Sequence, residues 1–164
     1  MIVRPVTRDA ANAIVKLWHS HHKPVRSHRF ALGAFEESPE DLLGVVIVGN
    51  PTAESLNNFG MTMEVLRLCT NGHRNAASFL LGASWRAAKE MGVTKMVSYT
   101  RCDESGTCYK AAGWRVISNV KGRLWNTGNK SQRWLPGVYE PTTEIVDRLR
   151  WEIVRPRPPS ELGL

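Results

Sequence analysis

One stretch of the chain has the residue types of a phosphate-binding turn. The segment Met61–Thr70 is predicted to be a strand, and the polar run Asn71–Asn75 follows it. The next helix opens with the small residues Ala76, Ala77 and Ser78. The first amides of a helix have no partner within the helix, and with the helix dipole they attract anions. Small side chains let phosphate oxygens come close, although any strand-loop-helix turn offers some free amides.

The distribution of charge also favours an anionic ligand. The net charge is +7. Residues 10–35 contain four lysines and arginines and no acid, and residues 105–139 contain six and again no acid. Two acid-free basic blocks produce a positive surface. The ligand that this surface implies is a phosphorylated cofactor, a nucleic acid or both.

The pattern of the whole chain predicts one mixed α/β domain that positions these residues. Its 164 residues suit a single hydrophobic core. Apolar residues at helical spacing predict a helix after Thr7 that stops before Pro24, and a long helix from Ala76 to Met91 closed by Gly92. Strands or extended pieces are predicted over Ile2–Val6, Arg29–Phe35, Asp41–Val48, Met61–Thr70, Val93–Thr100, Arg115–Val120, Arg123–Asn126 and Gln132–Leu135, with a short helix over Ser105–Ala112.

The end of the chain is predicted to be helical and then irregular. Thr142–Ile153 is predicted to form a terminal helix, and residues 155–164 a proline-rich tail. The expected domain therefore spans residues 1–154. The long helix lies between two predicted strands, so we expect it to cross over between them.

A second motif follows the long helix. The segment Tyr109-Lys-Ala-Ala-Gly113-Trp114 resembles the YxxxGF segment of the GNAT superfamily of N-acetyltransferases. The resemblance covers Met61–Val116 well and the first sixty residues more loosely, through element order. It implies the GNAT acyl-CoA N-acyltransferase fold, acetyl-CoA as acyl donor, and two neighbouring strands that part around the pantetheine arm.

The same resemblance gives Tyr109 the role of general acid. A phenol beside the thioester sulfur can deliver a proton as the thiolate leaves. The alternative is a core aromatic side chain whose hydroxyl makes a buried hydrogen bond.

By this resemblance, the turn before the long helix holds the pyrophosphate of the donor. The family pattern is (Q/R)xxGx(G/A), and the run here is Gly72-His-Arg-Asn75-Ala-Ala77. Asn75 stands where the family has its middle glycine, and Arg74 supplies charge from a neighbouring position. The residues expected to bind acyl-CoA are Leu68, Cys69, Thr70, Gly72, His73, Arg74, Asn75, Ala76, Ala77 and Ser78.

The central segment has a further likeness. The pattern N-x-x-S-F-L-L-G, with SYT and SGTCYKAAGW after it, looks like small phage and prophage acetyltransferase-like proteins. That branch is similar to the Mom-type DNA-modification proteins, within this segment. The resemblance implies phage ancestry and a nucleic-acid modification enzyme as an alternative to an ordinary amine acetyltransferase.

The acceptor is expected to be a primary amine that attacks directly in a ternary complex, and it must lose a proton. Glu64 is the predicted base, because a charged residue in mid-strand is unusual and family members often carry a base there. The alternative is a carboxylate paired with a base such as Arg67, although strand alternation places those two side chains on opposite faces. The end of the first helix commonly walls the acceptor pocket in the family, and the candidate substrate-binding residues are therefore His19, His22, His28 and Arg29.

Aromatic residues are interleaved with the cations of residues 105–139, which suits stacking on bases and contacts with phosphates. Nucleic acid is therefore an expected acceptor or partner, and a degenerate basic module that only binds nucleic acid is a competing function. Against this, some of the aromatics must fill the core. They are Tyr109, Trp114, Trp125, Trp134 and Tyr139.

The remaining expectations concern metals, compartment and assembly. Cys69, Cys102 and Cys108 are odd in number and lack zinc-site spacing, so we expect a reducing cytoplasm and no metal. Because direct attack needs no acyl-enzyme, Cys69 and Cys108 are not expected to be nucleophiles. His19 and His22 have the spacing to share a metal, but no carboxylate lies near them in sequence. No membrane segment or secretory signal is predicted. The protein is expected to be a monomer or a homodimer.

Overall fold

A computed structural model of the chain describes residues 1–18, 23–122 and 146–156. These ranges form a mixed α/β domain around a seven-stranded sheet. In chain order the elements are β1 (Ile2–Pro5), α1 (Arg8–Trp18), β2 (Phe30–Phe35), β3 (Leu42–Gly49), a 3-10 turn (Glu54–Leu56), β4 (Thr62–Thr70), α2 (Ala76–Glu90), β5 (Lys95–Arg101), α3 (Thr107–Ala111), β6 (Arg115–Val120) and β7 (Arg148–Val154).

The sheet has the strand order β1-β2-β3-β4-β5-β7-β6. Its neighbours pair antiparallel except β4 and β5, which are parallel. A parallel pair needs a crossover that returns the chain to the edge where the first strand began, and α2 provides it. The crossover predicted for the long helix is therefore confirmed.

Helices cover the two faces of the sheet unequally. On one face α2 and α3 pack over a large apolar cluster that includes Val46, Val48, Leu80 and Trp151. On the other face α1 packs over a smaller cluster formed by Ala11, Val15, Ala31, Val45, Ile47 and Cys69. Strand β3 lies under both clusters, which explains why it is apolar on both faces. In the part of the chain that is described, no helix is long and apolar enough to cross a membrane.

The sequence predictions hold for the first six strands and for α1 to α3, with shifts at the ends of elements. Five predicted pieces lie outside the described residues: the end of the first helix at 19–22, the extended pieces at 123–126 and 132–135, the beginning of the predicted terminal helix at 142–145, and the proline-rich tail from residue 157 onward.

The prediction of a terminal helix over Thr142–Ile153 is wrong where the structure describes it. Residues Arg148–Val154 form β7, which inserts between β5 and β6. The physical reason is an alternation of period two: Leu149, Trp151 and Ile153 contact the large apolar cluster. The residues between them are charged and lie on the other face. A short segment with this pattern buries more apolar surface as a strand than as a helix.

A bulge in β4 changes which side chains share a face. Arg67 pairs with Ile47, whereas the next paired residue of β3, Val48, pairs with Val65, so Leu66 is an extra residue. Arg67 therefore lies on the α1 side with Ile47, and Glu64 lies on the same side because its neighbour Val65 faces α2. The expectation that Arg67 faces away from Glu64 is wrong.

Helix α3 begins at Gly106, whose φ is 61°. A Cβ atom at this position would collide with Cζ2 of Trp151, the central buried side chain of β7. Glycine is therefore needed at Gly106 both for its left-handed backbone and for the close approach of α3 to the sheet.

Replacement of Gly106 by alanine should therefore destabilise the fold strongly. We expect Gly106→Ala to lower the free energy of unfolding by about 2–4 kcal/mol, the combined cost of a left-handed alanine and an overpacked contact. The control is Gly113→Ala, which has a similar φ of 82° but open space at the Cβ position. It should lose only about 1–2 kcal/mol. Equal losses in urea unfolding of the two variants would contradict the collision.

Candidate functional site

A cleft opens where β4 and β5 stop pairing. Their parallel ladder ends with Glu64 beside Val97, within the residues described. Beyond this point β4 continues along β3 and β5 continues along β7, so the two strands diverge. The cleft has a volume of about 400 Å³. It is lined by Trp18, Val65, Leu66, Arg67, Leu68, Cys69, Thr70, Ala77, Ser98, Tyr99, Thr100, Glu104, Ser105, Gly106, Cys108 and Tyr109.

The turn between β4 and α2 points backbone amides outward. His73 donates its amide to Oδ1 of Asn71 at 3.0 Å, and Ala76 donates its amide to the His73 carbonyl at 3.2 Å. The amides of Ala77 and Ser78 have no acceptor among the described residues. Free amides in the first turn of a 15-residue helix are suited to an anion.

Asn75 explains the departure from the glycine pattern. It is the N-cap residue of α2 and has φ 66° and ψ −3°, a left-handed conformation. Asparagine is among the non-glycine residues that adopt this conformation most readily. The backbone shape that a glycine would give the turn is therefore retained with asparagine.

A second pocket continues from this turn. It has a volume of about 320 Å³. Ala77 and Cys108 line both this pocket and the cleft, so the two adjoin. Together they run from the free amides to the parted strands, a shape that accepts an elongated ligand with an anionic part. The lining residues of the second pocket are His73, Asn75, Ala77, Ser78, Ser105, Thr107, Cys108 and Ala111.

Three expected cofactor-binding residues are not among those that line either pocket. Ala76 is fully buried in the core, and its amide is already bonded to His73. Gly72 and Arg74 are exposed on the turn. The hydroxyl of Ser78 donates to the Asn75 carbonyl at 3.1 Å, which leaves its oxygen as an acceptor.

Tyr109 lies buried at the inner wall of the cleft. Its ring stacks on Trp151 with centroids 5.3 Å apart and meets the edge of Trp114 at 5.6 Å. Its hydroxyl shares a hydrogen bond of 2.7 Å with the hydroxyl of Ser98. Burial raises the pKa of Tyr109 far above that of an ordinary phenol. The phenol therefore keeps its proton at neutral pH and is a weaker acid than an ordinary phenol. Its bond to Ser98 is the buried hydroxyl bond of the alternative interpretation.

Glu64 is buried next to the mouth of the cleft without lining it. Thr52 donates its amide to one carboxylate oxygen at 2.6 Å and its hydroxyl to the other at 3.1 Å. Burial raises the pKa of Glu64, and the two Thr52 bonds oppose that rise. The positive charge of Arg67 also lowers the pKa of Glu64. The guanidinium of Arg67 makes its own hydrogen bonds to the carbonyls of Lys23 and Leu66.

The two thiols at the cleft are poor nucleophiles. Cys69 is buried, and burial raises the pKa of its thiol to about 11. Burial also raises the pKa of Cys108. Thiolates, and not thiols, attack carbonyl carbons. That neither cysteine forms an acyl-enzyme stays a prediction.

The predicted acceptor residues are only partly described. His19 and His22 lie outside the described residues. Arg29 is exposed at the start of β2, where its Nε donates to Oδ1 of Asn50 at 2.8 Å. His28 precedes it beside Gly49, at the same end of the sheet as Thr52 and Glu64. Neither His28 nor Arg29 lines the cleft.

Two hydroxyl groups that hydrogen-bond the candidate catalytic side chains were not predicted from the sequence. Ser98 is the partner of Tyr109, and Thr52 holds Glu64. A serine inside a strand and a threonine after a turn carry no motif. The alternation of side chains along β5 was the one usable signal. Ser98 lies two residues after the apolar Met96, so both side chains are on the face that packs against α2.

The chain is similar to two groups of known proteins, one by sequence and one by structure. The sequence profile of the Mom protein family matches residues 1–139 of the chain. No curated protein sequence matches it significantly.

The structure is similar to several solved acetyltransferases. An acetyltransferase of Bacillus subtilis in complex with CoA has TM-score 0.64 and 13% identity, over 93% of this chain and 97% of that one. An aminoglycoside 6'-N-acetyltransferase of Enterococcus faecium has TM-score 0.64 and 12% identity, over 96% and 99%. An IAA acetyltransferase of Bacillus cereus has TM-score 0.61 and 16% identity, over 94% and 99%. The predicted GNAT fold is confirmed.

The left-handed backbone at Asn75 gives a prediction for stability. Valine is β-branched and tolerates this conformation poorly, whereas glycine adopts it freely. We expect Asn75→Val to lose about 1–2 kcal/mol of unfolding free energy, and Asn75→Gly to lose none. Thermal unfolding measures both. A valine variant as stable as the glycine variant would contradict the described turn.

Proposed function

The chain belongs to the Mom protein family, and we propose that it transfers an acyl group from an acyl-CoA thioester to an amine of nucleic acid. The observation that carries the proposal is the parting of β4 and β5 beside free helix amides. One neighbour with the same fold was solved in complex with CoA. A thioester arm seated between the strands would bring its phosphates to the turn before α2.

The residues of the turn and cleft fit such a donor. The amides of Ala77 and Ser78 would hold phosphate oxygens, and the left-handed Asn75 keeps the turn open. Bound acyl-CoA would supply an activated carbonyl with a thiolate leaving group. The edge of β4 that β5 does not pair would face the arm along the cleft.

The roles at the reacting centre follow from burial and hydrogen bonding. As the amine attacks the thioester carbonyl carbon, Glu64 accepts the amine proton through a water, since its carboxylate is near the cleft but does not line it. Tyr109 donates its proton to the sulfur as the carbon–sulfur bond breaks, and Ser98 holds the phenol in place. The products are the N-acylated acceptor and CoA.

Nucleic acid is the acceptor that the chain favours. The Mom-type likeness of the central segment implies DNA modification, and the two acid-free basic blocks suit a polyanion. Exocyclic amines of bases are the acceptors available in DNA. The other acceptor class is a small or protein amine, as the name of the aminoglycoside-modifying neighbour illustrates.

The function is tested by mass analysis of nucleosides after incubation of the protein with acetyl-CoA and duplex DNA. We expect a nucleoside heavier by one acetyl group, and no product without the donor. If calorimetry detects no CoA binding, acyl-CoA is not the donor. If small amines are acetylated while the DNA stays unmodified, nucleic acid is not the acceptor.

The acid role of Tyr109 predicts a loss of turnover without a loss of binding. We expect Tyr109→Phe to lower kcat by about 100-fold or more, the usual contribution of a positioned acid, with CoA affinity unchanged. Ser98→Ala removes the hydrogen bond that holds the phenol but keeps the acid itself, so it should lower kcat by less than Tyr109→Phe does. An unchanged kcat in Tyr109→Phe would show that this tyrosine only fills the core.

If Glu64 is the base, removal of the Thr52 hydroxyl should change how kcat/KM depends on pH. The Thr52 hydroxyl stabilises the ionised carboxylate, so its removal raises the pKa of Glu64 further. Because the base must be ionised, the acid limb of the kcat/KM profile should move to higher pH in Thr52→Val. Thr52→Ser keeps a hydroxyl and should leave the limb in place. A limb that does not move in Thr52→Val would exclude Glu64 as the base.

A further inference from the structure

The part of the sheet formed by β5, β7 and β6 has two chemically different faces. One face carries Leu149, Trp151 and Ile153 and packs on the large apolar cluster beneath α2 and α3. The other face carries the alternating residues of β7, Arg148 and Arg150 among them, opposite Arg101 and Tyr99 of β5. In the described ranges α1 packs mainly on β2, β3 and β4.

The β4 bulge brings Arg67 to the same face. Its guanidinium lies close enough to Arg148 for each cation to disfavour the other, and this, after burial, lowers the pKa of Arg67. Glu64 is the acid that opposes both charges. Two guanidinium groups held near a single buried carboxylate leave an excess of positive charge next to the cleft.

The arginines of this face are incompletely paired. Arg148 makes no hydrogen bond or ion pair with an acid within the described residues. Nε of Arg150 is buried and has no hydrogen-bond partner there, and the same holds for Oε1 of Glu152. Arg150 also hydrogen-bonds the side chain of Tyr99. Nη2 of Arg150 lies 3.1 Å from Glu152, and that carboxylate is shared with Lys95 at 3.8 Å. Buried donors without acceptors are costly unless a ligand supplies them.

We propose that Arg148 and Arg150 form an anion-binding site for a phosphodiester of the acceptor nucleic acid. Arg67 adds positive charge beside them, while its guanidinium stays bonded to the carbonyls of Lys23 and Leu66. The proposal rests on the proposed function and names how the acceptor is held. The site lies on the face opposite α2, so it is distinct from the amides that would hold the donor phosphates. It adjoins Glu64, and a phosphate bound there would fix the strand with a base amine near the cleft.

The site is tested by the salt dependence of binding to a fluorescent DNA duplex. Each phosphate contact adds about 0.9 to the slope of log affinity against log salt. We expect Arg148→Gln to make the slope shallower by about one and to weaken binding about tenfold at 50 mM salt. Arg148→Lys keeps the charge and should restore the slope. Arg86→Gln, an exposed cation on α2, is the matched control and should leave it unchanged.

The same variants also test whether these arginines bind the acceptor and not the donor, and whether the site can exist without the proposed reaction. CoA affinity by calorimetry should be equal in Arg148→Gln and the unaltered protein; a fall would show that the arginines hold the donor and would overturn the proposal. An unchanged slope in a folded Arg148→Gln protein, checked by circular dichroism, would also overturn it, even if DNA is acylated. Conversely, a shallower slope without any acylated nucleoside would support the site and refute the proposed reaction.

Discussion

The end of hydrogen bonding between β4 and β5 is the constraint from which the rest of the site follows. Glu64 and Val97 form the last pair, and every later residue of both strands except the bulged Leu66 has a partner on one side only. An unpaired strand edge inside a sheet is unfavourable unless another group occupies it. The bulge at Leu66 lies just after that pair, and a bulge bends its strand. The same extra residue also places Arg67 on the face of Glu64.

The walls of the cleft depend on contacts made across long sequence separations. Tyr109 is held by Trp151, Trp114 and Ser98, and α3 can approach only because Gly106 has no side chain. Similarly, the two hydrogen bonds that Thr52 donates to Glu64 oppose the rise in the pKa of Glu64 that burial causes, as do the charges of Arg67 and Arg148. The chemical groups are thus positioned by neighbours that have no reactive role themselves.

Much of the fold could be predicted from local patterns, while the contacts of the site could not. The stripe of α2, the apolar β3 and the turn before Ala76 are local in sequence, and each was found. The bulge at Leu66 was missed, because one extra residue in a strand reverses the faces without a compositional signal. Strand β7 was mistaken for a helix, since its pairing partners on β6 and β5 lie between 28 and 59 residues earlier along the chain.

The position of β7 has a consequence for how the protein is made. Strand β6 pairs only with β7 among the described strands, and β7 is the last of them to leave the ribosome. Until it arrives, β6 lacks a place in the sheet and Tyr109 lacks the indole on which it stacks. Strands β1 to β4 pair with sequence neighbours and can form early. The cleft of a nascent chain therefore acquires its finished inner wall only after β7 has emerged from the ribosome.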